Sequence, residues 1–268
     1  MKKNKLSSVI ILLLSCITGC VMVSGCATTT TKPASIEDVN INISRINFEQ
    51  SPVIAIRYFE MSDIPNEIGS IMRRGVGGLL KQHFANVKFE NRKQAEISLA
   101  EALIVLLLNS NYNVIEQPIA SQDLCPQSAD IILETTMITY TEDAEFGPTL
   151  SASNRGIVKC HMIFDLEAKN AKTGLILARR RCEGTGRATA ENIRPLKLRP
   201  DSDTTNVFDL LMRELDETGY FKKAETIALI KAIEPIFNDT TFTQTILSFK
   251  AHEEVGDVPQ GATPAHRN

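Results

Sequence analysis

Tryptophan is absent from this sequence, and tyrosine occurs only four times. Sugar-binding surfaces rely on such side chains for stacking, so their scarcity argues against a carbohydrate-stacking surface. The four histidines are scattered and no CxxC pair accompanies them, which argues against a metal centre. The formal charge of −3 argues against nucleic-acid binding, which depends on neutralising phosphates. We therefore expect no metal, no cofactor and no nucleic-acid partner.

Familiar catalytic motifs are also missing. The sequence has no GxSxG or HExxH motif, no SxxK with its companion motifs, and no GxxxxGK[ST] phosphate-binding loop. The glycine-bearing segment 68–78 is predicted to be a loop or a bent strand. Asp143 and Glu145 are predicted to lie in a loop without a partner. We therefore expect a protein that is not an enzyme, and an envelope hydrolase with an unrecognised site is the alternative.

The N-terminus has the features of an export signal. Lys2 and Lys3 precede an apolar run over 9–14, which is too short to span a membrane because a spanning helix needs about 20 apolar residues. Two cysteines then follow small residues, in the tetrapeptides ITGC ending at Cys20 and VSGC ending at Cys26. Both tetrapeptides resemble the lipobox of bacterial lipoproteins, in which an aliphatic residue and small residues precede an acylated cysteine.

Cys26 is predicted to be the acylated residue, with Cys20 as the alternative. An apolar stretch that extends the signal follows Cys20, whereas a polar segment suited to a tether follows Cys26. The lipobox resemblance implies a thioether-linked diacylglycerol and an amine acylated by a fatty acid such as palmitate, which together form a stable anchor. An Asp after the cysteine would favour the inner membrane. Ala27 stands there, so the resemblance implies the outer membrane, on its periplasmic face.

The chain is predicted to have four segments. Residues 1–25 are the expected lipoprotein signal peptide, and 26–37 a lipid-anchored flexible tether. Residues 38–250 are expected to form a single periplasmic domain with C-terminal helices, and 251–268 a disordered tail. Removal of the signal deletes three lysines and no acids, which changes the formal charge from −3 to about −6.

The domain is predicted to have an α/β (α+β) fold, with a mixed or antiparallel sheet and helices packed on one face. Apolar residues recur at helical spacing in some segments and alternate with polar residues in others. The predicted helices are 92–109, 205–217, 221–237 and 242–249. The predicted strands are 39–43, 53–56, 87–89, a short strand that starts at Val114 and ends at Pro118, 129–140, 157–168 and 175–182.

The strands predicted over 157–168 and 175–182 supply candidate partner-binding residues. Apolar and charged residues alternate along the first of them, as expected for a sheet with one solvent-facing side. Lys159, Arg179 and Arg181 are predicted on that side, within a charged mosaic suited to a polar interface. The arginine run 179–181 is also a candidate site for a phosphate or a glycan carboxylate. A solvated sheet edge that deters strand aggregation is the alternative.

Three cysteines follow the signal, namely Cys125, Cys160 and Cys182. The periplasm is oxidising, so a disulfide can persist there. A hairpin centred near residue 171 or 172 would place Cys160 and Cys182 on one face, opposite or diagonal to each other, within the range of a bridge. Two free apolar thiols are the alternative, since unpaired cysteines are commonly buried.

Several stretches resemble known envelope lipoproteins. Residues 68–114, with the glycine-bearing segment, a helix and the strand NYNVIEQ, resemble the YajG type of small outer-membrane lipoprotein. The stretches 128–134 and 168–176 are similar to the curli-secretion lipoprotein CsgG and to lipoprotein activators of penicillin-binding proteins. The resemblance covers roughly residues 50–190 and lies in the fold pattern, so it transfers no catalytic residue. It implies a protein that binds or assembles.

The predicted function is that of a lipid-anchored periplasmic lipoprotein, a non-catalytic binding or accessory module for an envelope complex. Its expected partners are the membrane, through the anchor, and an unknown envelope protein or peptidoglycan. A subunit of a CsgG-like outer-membrane secretion pore is an alternative. A pore of that kind needs spanning strands with aromatic girdles, and the sequence shows no such girdles.

Overall fold

The computed structural model describes residue 34 and residues 40–47, 51–74, 81–120, 122–147, 155–191, 193 and 207–255. The chain divides into two compact units, Met1–Thr31 and Lys32–Asn268. All described residues belong to the second unit. The predicted signal peptide and both candidate acylation sites, Cys20 and Cys26, therefore lie outside the described residues, as does all of the predicted tether except residue 34.

A mixed sheet of six strands lies at the centre of the described part of the chain. Its strands are β1 (Ile54–Ile56), β2 (Glu67–Arg74), β3 (Lys81–Lys88), β4 (Ile131–Phe146), β5 (Gly156–Asn170) and β6 (Ile176–Ala190). The order is β3-β2-β4-β5-β6, and β1 also pairs with β4. Strand β4 is parallel to β1 and β2 and antiparallel to β5, which is antiparallel to β6. With its helices, this sheet confirms the predicted α+β class.

Strand β4 is longer than the prediction over 129–140. It continues to Phe146, so Asp143 and Glu145 belong to a strand and not to a loop. The cause is a bulge after Met137, where the pairing with β5 shifts register. A one-residue shift moves the following side chains to the opposite face of the sheet. It therefore interrupts the alternation of apolar and polar residues from which the strand over 129–140 was predicted.

Four described helices accompany the sheet, α1 (Arg92–Asn109), α2 (Val207–Glu217), α3 (Tyr220–Phe237) and α4 (Thr240–Val255). The first three confirm the helices predicted over 92–109, 205–217 and 221–237. Helix α4 continues to Val255 because no glycine or proline interrupts it before residue 256. The tail predicted from 251 therefore starts no earlier than residue 256, and those later residues lie outside the described part.

Helix α3 packs directly on strand β6 because two glycines leave room for it. A Cβ atom added to Gly184 would collide with the carbonyl oxygen of Ala228, and one added to Gly186 with that of Ala224. The prediction ended this strand at 182 because glycine usually weakens a strand interior. The strand instead continues to Ala190, and its glycines mark the close approach of helix and sheet.

Alternation along β5 separates the two faces of the sheet as predicted. The residues that face the helices are at most 1% exposed, namely Val158, Cys160, Met162, Phe164, Leu166 and Ala168. They share one core with α1 and α3, in which the rings of Phe59 and Phe164 meet edge to face with centroids 5.2 Å apart. The opposite side of β5 carries the polar residues.

The strand predicted over 39–43 does not form in its described residues, 40–43. Residues 40–47 have no strand pairing, although Ile43 is buried as the alternation suggested. Their backbone groups bond to helix residues instead, as when Asn42 donates its N–H to the Glu234 carboxylate at 2.6 Å. We call Ala34 together with residues 40–47 the strap.

Candidate functional site on the open face of the sheet

One face of β4, β5 and β6 carries the charged residues that the sequence pattern placed on the solvent side. We call it the open face, because the described helices pack on the other side of these strands. Arg179 and Arg181 on β6 leave 60% and 65% of their side chains exposed. Lys159 on β5 lies on the same face and is 36% exposed. The structure thus brings the three predicted partner-binding residues onto one surface.

Seven charged residues cross the open face as a continuous series of opposite charges, which we call the ion-pair ladder. They are, in order, Arg57, Glu134, Lys169, Glu167, Arg179, Asp165 and Arg181. The distances between neighbours range from 2.7 Å for Lys169 Nζ to Glu134 Oε2 to 3.4 Å for Arg179 Nε to Glu167 Oε1. Strand register explains the ladder, because Glu167 lies between Glu134 and Arg179 on adjacent strands.

Asp165 on β5 joins the two arginines of β6 in the ladder. Arg179 Nη2 donates to its Oδ2 at 2.8 Å, and Arg181 Nε donates to its Oδ1 at 2.9 Å. These hydrogen bonds, that of Arg181 first, hold the pKa of Asp165 below its ordinary value. The carboxylate is largely covered, whereas the two guanidinium groups above it reach solvent.

Two further pairs extend the mosaic toward the other end of the strands. Lys159 Nζ lies 2.9 Å from Oε1 of the buried Glu145, on neighbouring strands. His161 Nε2 lies 3.3 Å from Glu183 Oε1. Positive and negative charges are therefore mixed along the described part of this face, although Lys159 on β5 lies opposite the exposed Arg187 on β6.

This arrangement distinguishes between the interpretations of the arginine run. A phosphate site needs guanidinium groups directed at an empty position, but Arg179 and Arg181 both direct theirs at Asp165. Arg180 points to the other side, where its Nη2 lies 3.4 Å from Oδ2 of Asp239, the residue that precedes α4. The geometry argues against an anion pocket, and β6 is the edge strand of the sheet, as the alternative of a solvated edge requires.

Cys160 and Cys182 do not form a disulfide in this structure. Cys160 and Cys182 are free, buried and on the same side of the sheet, as predicted. However, Cys160 pairs with Gly186 and Cys182 with Phe164, an offset of four residues or roughly 14 Å along the strand. A disulfide needs Cα atoms within about 7 Å. The two cysteines are offset because the hairpin is centred on residue 173, and not on residue 171 or 172 as assumed. The alternative of two buried free thiols therefore describes them.

A buried polar cluster under α3 was missed by sequence reasoning. Tyr140 Oη lies 2.7 Å from Glu142 Oε1 and 3.1 Å from Glu225 Oε1. Burial, and then the charge of Glu142, raises the pKa of Glu225 to about 8. The signal was visible as an acid on the apolar side of the helix over 221–237, because Glu225 lies four residues after Phe221 and four before Leu229.

The described residues give two further findings. None of the described helices is long and apolar enough to cross a membrane. Within the described ranges, no three metal-ligating side chains of His, Cys, Asp or Glu are grouped around a common point.

No protein-family model and no curated protein matches the sequence. Among solved structures, the chain is similar to a Xanthomonas campestris protein of family DUF330, with 9% identity and a TM-score of 0.34 over 80% of this chain and 96% of that chain. It is also similar to a Helicobacter pylori homolog of a neuraminyllactose-binding hemagglutinin, with 13% identity and a TM-score of 0.35 over 78% of this chain and 96% of that chain. Similarities at this level indicate no function for this chain.

Proposed function

We propose that this protein is a lipoprotein anchored to the outer membrane on its periplasmic side, where it acts without catalysis as a binding or accessory module. The anchor is the acylated Cys26, and the partner is another envelope component that docks on the open face. The observation that carries the proposal is the ion-pair ladder, with its exposed, charge-balanced arginines on the side of the sheet opposite the helices.

A balanced mosaic of this kind serves specificity more than raw affinity. Each exposed charge accepts a partner only where the opposite charge meets it, and like charges that meet across an interface cost several kcal/mol. Arg179 and Arg181 are held in place by Asp165, so they meet a partner without first losing conformational freedom. The lipid anchor adds to binding by confining the module to the surface where its partner resides.

The test replaces Arg179 and Arg181 with glutamine. Neutralisation is preferable to charge reversal, because a new carboxylate there would face Asp165 and Glu167 and would disturb the fold. Wild type and variant are crosslinked in intact cells, recovered through a C-terminal tag and compared by quantitative mass spectrometry. The expected result is a several-fold loss of one envelope protein from the variant, with an unchanged far-UV spectrum.

The matched control is Arg213→Gln. Arg213 is equally exposed, at 69%, and forms an ion pair with Glu217, but it lies on α2 and away from the open face. The control should retain the partner, because an exposed ion pair contributes less than about 1 kcal/mol to the fold. Equal loss in both variants, or loss in neither, would count against the open face as the docking surface.

Peptidoglycan is the other expected class of partner, and co-sedimentation with purified sacculi tests it. Binding of the soluble domain to sacculi that the double variant loses would identify peptidoglycan as the partner. Turnover of peptidoglycan or lipid by the purified domain, abolished by one side-chain change without unfolding, would refute the non-catalytic role.

A further inference from the structure

The strap fastens the start of the domain along helix α3. Ala34 donates its N–H to the carbonyl oxygen of Thr218 at 2.9 Å, immediately before that helix begins. Further along, the backbone N–H and the hydroxyl of Ser44 both donate to Oδ1 of Asn238 at 2.8 Å, immediately after the helix ends. The described residues of the strap therefore bond to the chain just before α3 begins and just after it ends.

Additional contacts fix the end of the strap. Asn238 Nδ2 donates back to the carbonyl oxygen of Asn42 at 2.7 Å. Ile43 between them is 7% exposed and belongs to the main core, and Ile46 donates its N–H to the Ser110 carbonyl at 3.2 Å. Paired hydrogen bonds around a buried side chain hold the strap as part of the domain.

The strap limits how far the domain can lie from its lipid anchor. Cys26 and Ala34 are eight residues apart in sequence. A fully extended chain covers at most about 3.6 Å per residue, so Ala34 lies within roughly 29 Å of an acylated Cys26. If the chain were held only from Ile46 onward, the distance from Cys26 to the first held residue could reach roughly 70 Å. That distance is longer than the sheet, so the anchor would bring neither end of the sheet closer to the membrane.

The position of Ala34 identifies one end of the domain. Helix α3 runs antiparallel to β6, because Ala224 in its first half contacts Gly186, whereas Asp239 after its end lies 3.4 Å from Arg180. Thr218 therefore lies at the end of the sheet where β6 finishes. The turn 171–175 lies at the opposite end, and the length of β6 separates the two ends by roughly 50 Å.

We propose that the membrane surface faces the junction of α2 and α3, residues 217–223, and that the turn 171–175 points into the periplasm. This proposal rests on the proposed anchor at Cys26. The strap sets this orientation, because it shortens the free chain from the anchor to less than the length of the sheet. The junction carries both signs of charge, on Glu217, Lys222 and Lys223, so its own attraction to lipid is secondary. The long axes of β5 and β6 then point away from the membrane, and the open face is presented sideways.

A photo-crosslinking residue at each end of the full lipidated protein tests this orientation. It replaces Glu217, whose side chain is 50% exposed at the junction, or the exposed Thr173 in the distal turn. Each protein is reconstituted into phosphatidylethanolamine and phosphatidylglycerol vesicles, irradiated, and analysed for lipid adducts by mass spectrometry. Several-fold more adduct at 217 than at 173 is expected. Equal adducts, or more at 173, would overturn the proposal.

A protein with a longer tether provides the matched control. Insertion of about 20 Gly and Ser residues after Thr31 leaves the strap unchanged but more than doubles the reach of the chain. The difference between the two positions should then disappear, and its persistence would overturn the role of the strap. The same spectra report the mass of the N-terminal peptide. An unacylated Cys26 refutes the anchor on which the proposal rests, whereas an acylated Cys26 with equal adducts refutes the orientation alone.

Discussion

Replacement of Glu225 by glutamine should remove most of the pH dependence of folding stability between pH 5 and pH 9. A phenol has one proton, so Tyr140 can donate to only one of the two carboxyl groups that lie within 3.1 Å of its oxygen. The other contact requires a protonated carboxyl group, which donates to the phenol oxygen. Glu225 is the better candidate because burial raises its pKa to about 8.

The direction of the effect follows from linkage. The native state binds the proton more tightly than the unfolded chain does, where the pKa is near 4.5. The stability from this group is therefore fully present below about pH 4.5 and is lost as the pH rises through about 8. At about 1.4 kcal/mol per pKa unit, the loss across that range is on the order of 4 kcal/mol.

The surroundings of the cluster support an uncharged Glu225. Glu142 and Tyr140 on β4 and Cys160 on β5 face it from the sheet, and each has a pKa above its ordinary value because of burial. Lys222 on α3 lowers the pKa of Glu225, but its contribution ranks below those of burial and of Glu142. Glutamine keeps the size and polarity of the side chain and is neutral at every pH.

Urea unfolding of the mature domain with a Cys26→Ser change, followed at intervals from pH 5 to pH 9, measures the prediction. Glu225→Gln should match the parent near pH 5 and exceed it by several kcal/mol near pH 9. Glu101→Gln, an exposed change on α1, is the control and should leave the pH profile unaltered. Identical profiles for parent and Glu225→Gln would refute the buried proton, as would a loss of stability at pH 9 in that variant.

Three further predictions concern packing, anchoring and thiols. Gly186→Ala should cost at least about 2 kcal/mol in thermal or urea unfolding, because the new methyl collides with the Ala224 carbonyl, and a near-neutral change would contradict the packing of α3. Cys26→Ser should release the protein from membranes in fractionation, and acylation found at another residue would move the anchor. Cys160 and Cys182 should resist thiol reagents when native and both react after non-reducing denaturation, and a missing thiol would indicate a bridge.

Periodicity predicted the elements whose environment is uniform along their length. Strand β5 is buried on one side throughout, and buried apolar residues recur at helical spacing along α1 and α3, so simple patterns identify them. The pattern failed where tertiary contacts change the environment within an element. The bulge after Met137 hid the second half of β4, and the approach of α3 to Gly184 and Gly186 made a strand resemble a loop.

Prediction of the candidate site from the sequence has the same limit. Alternation was sufficient to place Lys159, Arg179 and Arg181 on one face. Which acids they pair with depends on the register between the strands. An error of one or two residues in the predicted turn centre changes that register. The same shift converted two neighbouring cysteines into two distant ones. Glu225 was overlooked because its partner Tyr140 lies far away in sequence, on another element.

Site-specific crosslinking in living cells tests the central claim most directly. A photo-crosslinking residue replaces the exposed Thr185 on the open face or the exposed Gln244 on α4, in the helix layer. The proposed function predicts one dominant protein or peptidoglycan adduct from position 185, none from 244, and loss of that adduct when Arg179 and Arg181 are changed to glutamine. An adduct from position 244 alone, or one from 185 that survives the double change, would contradict docking through the open face.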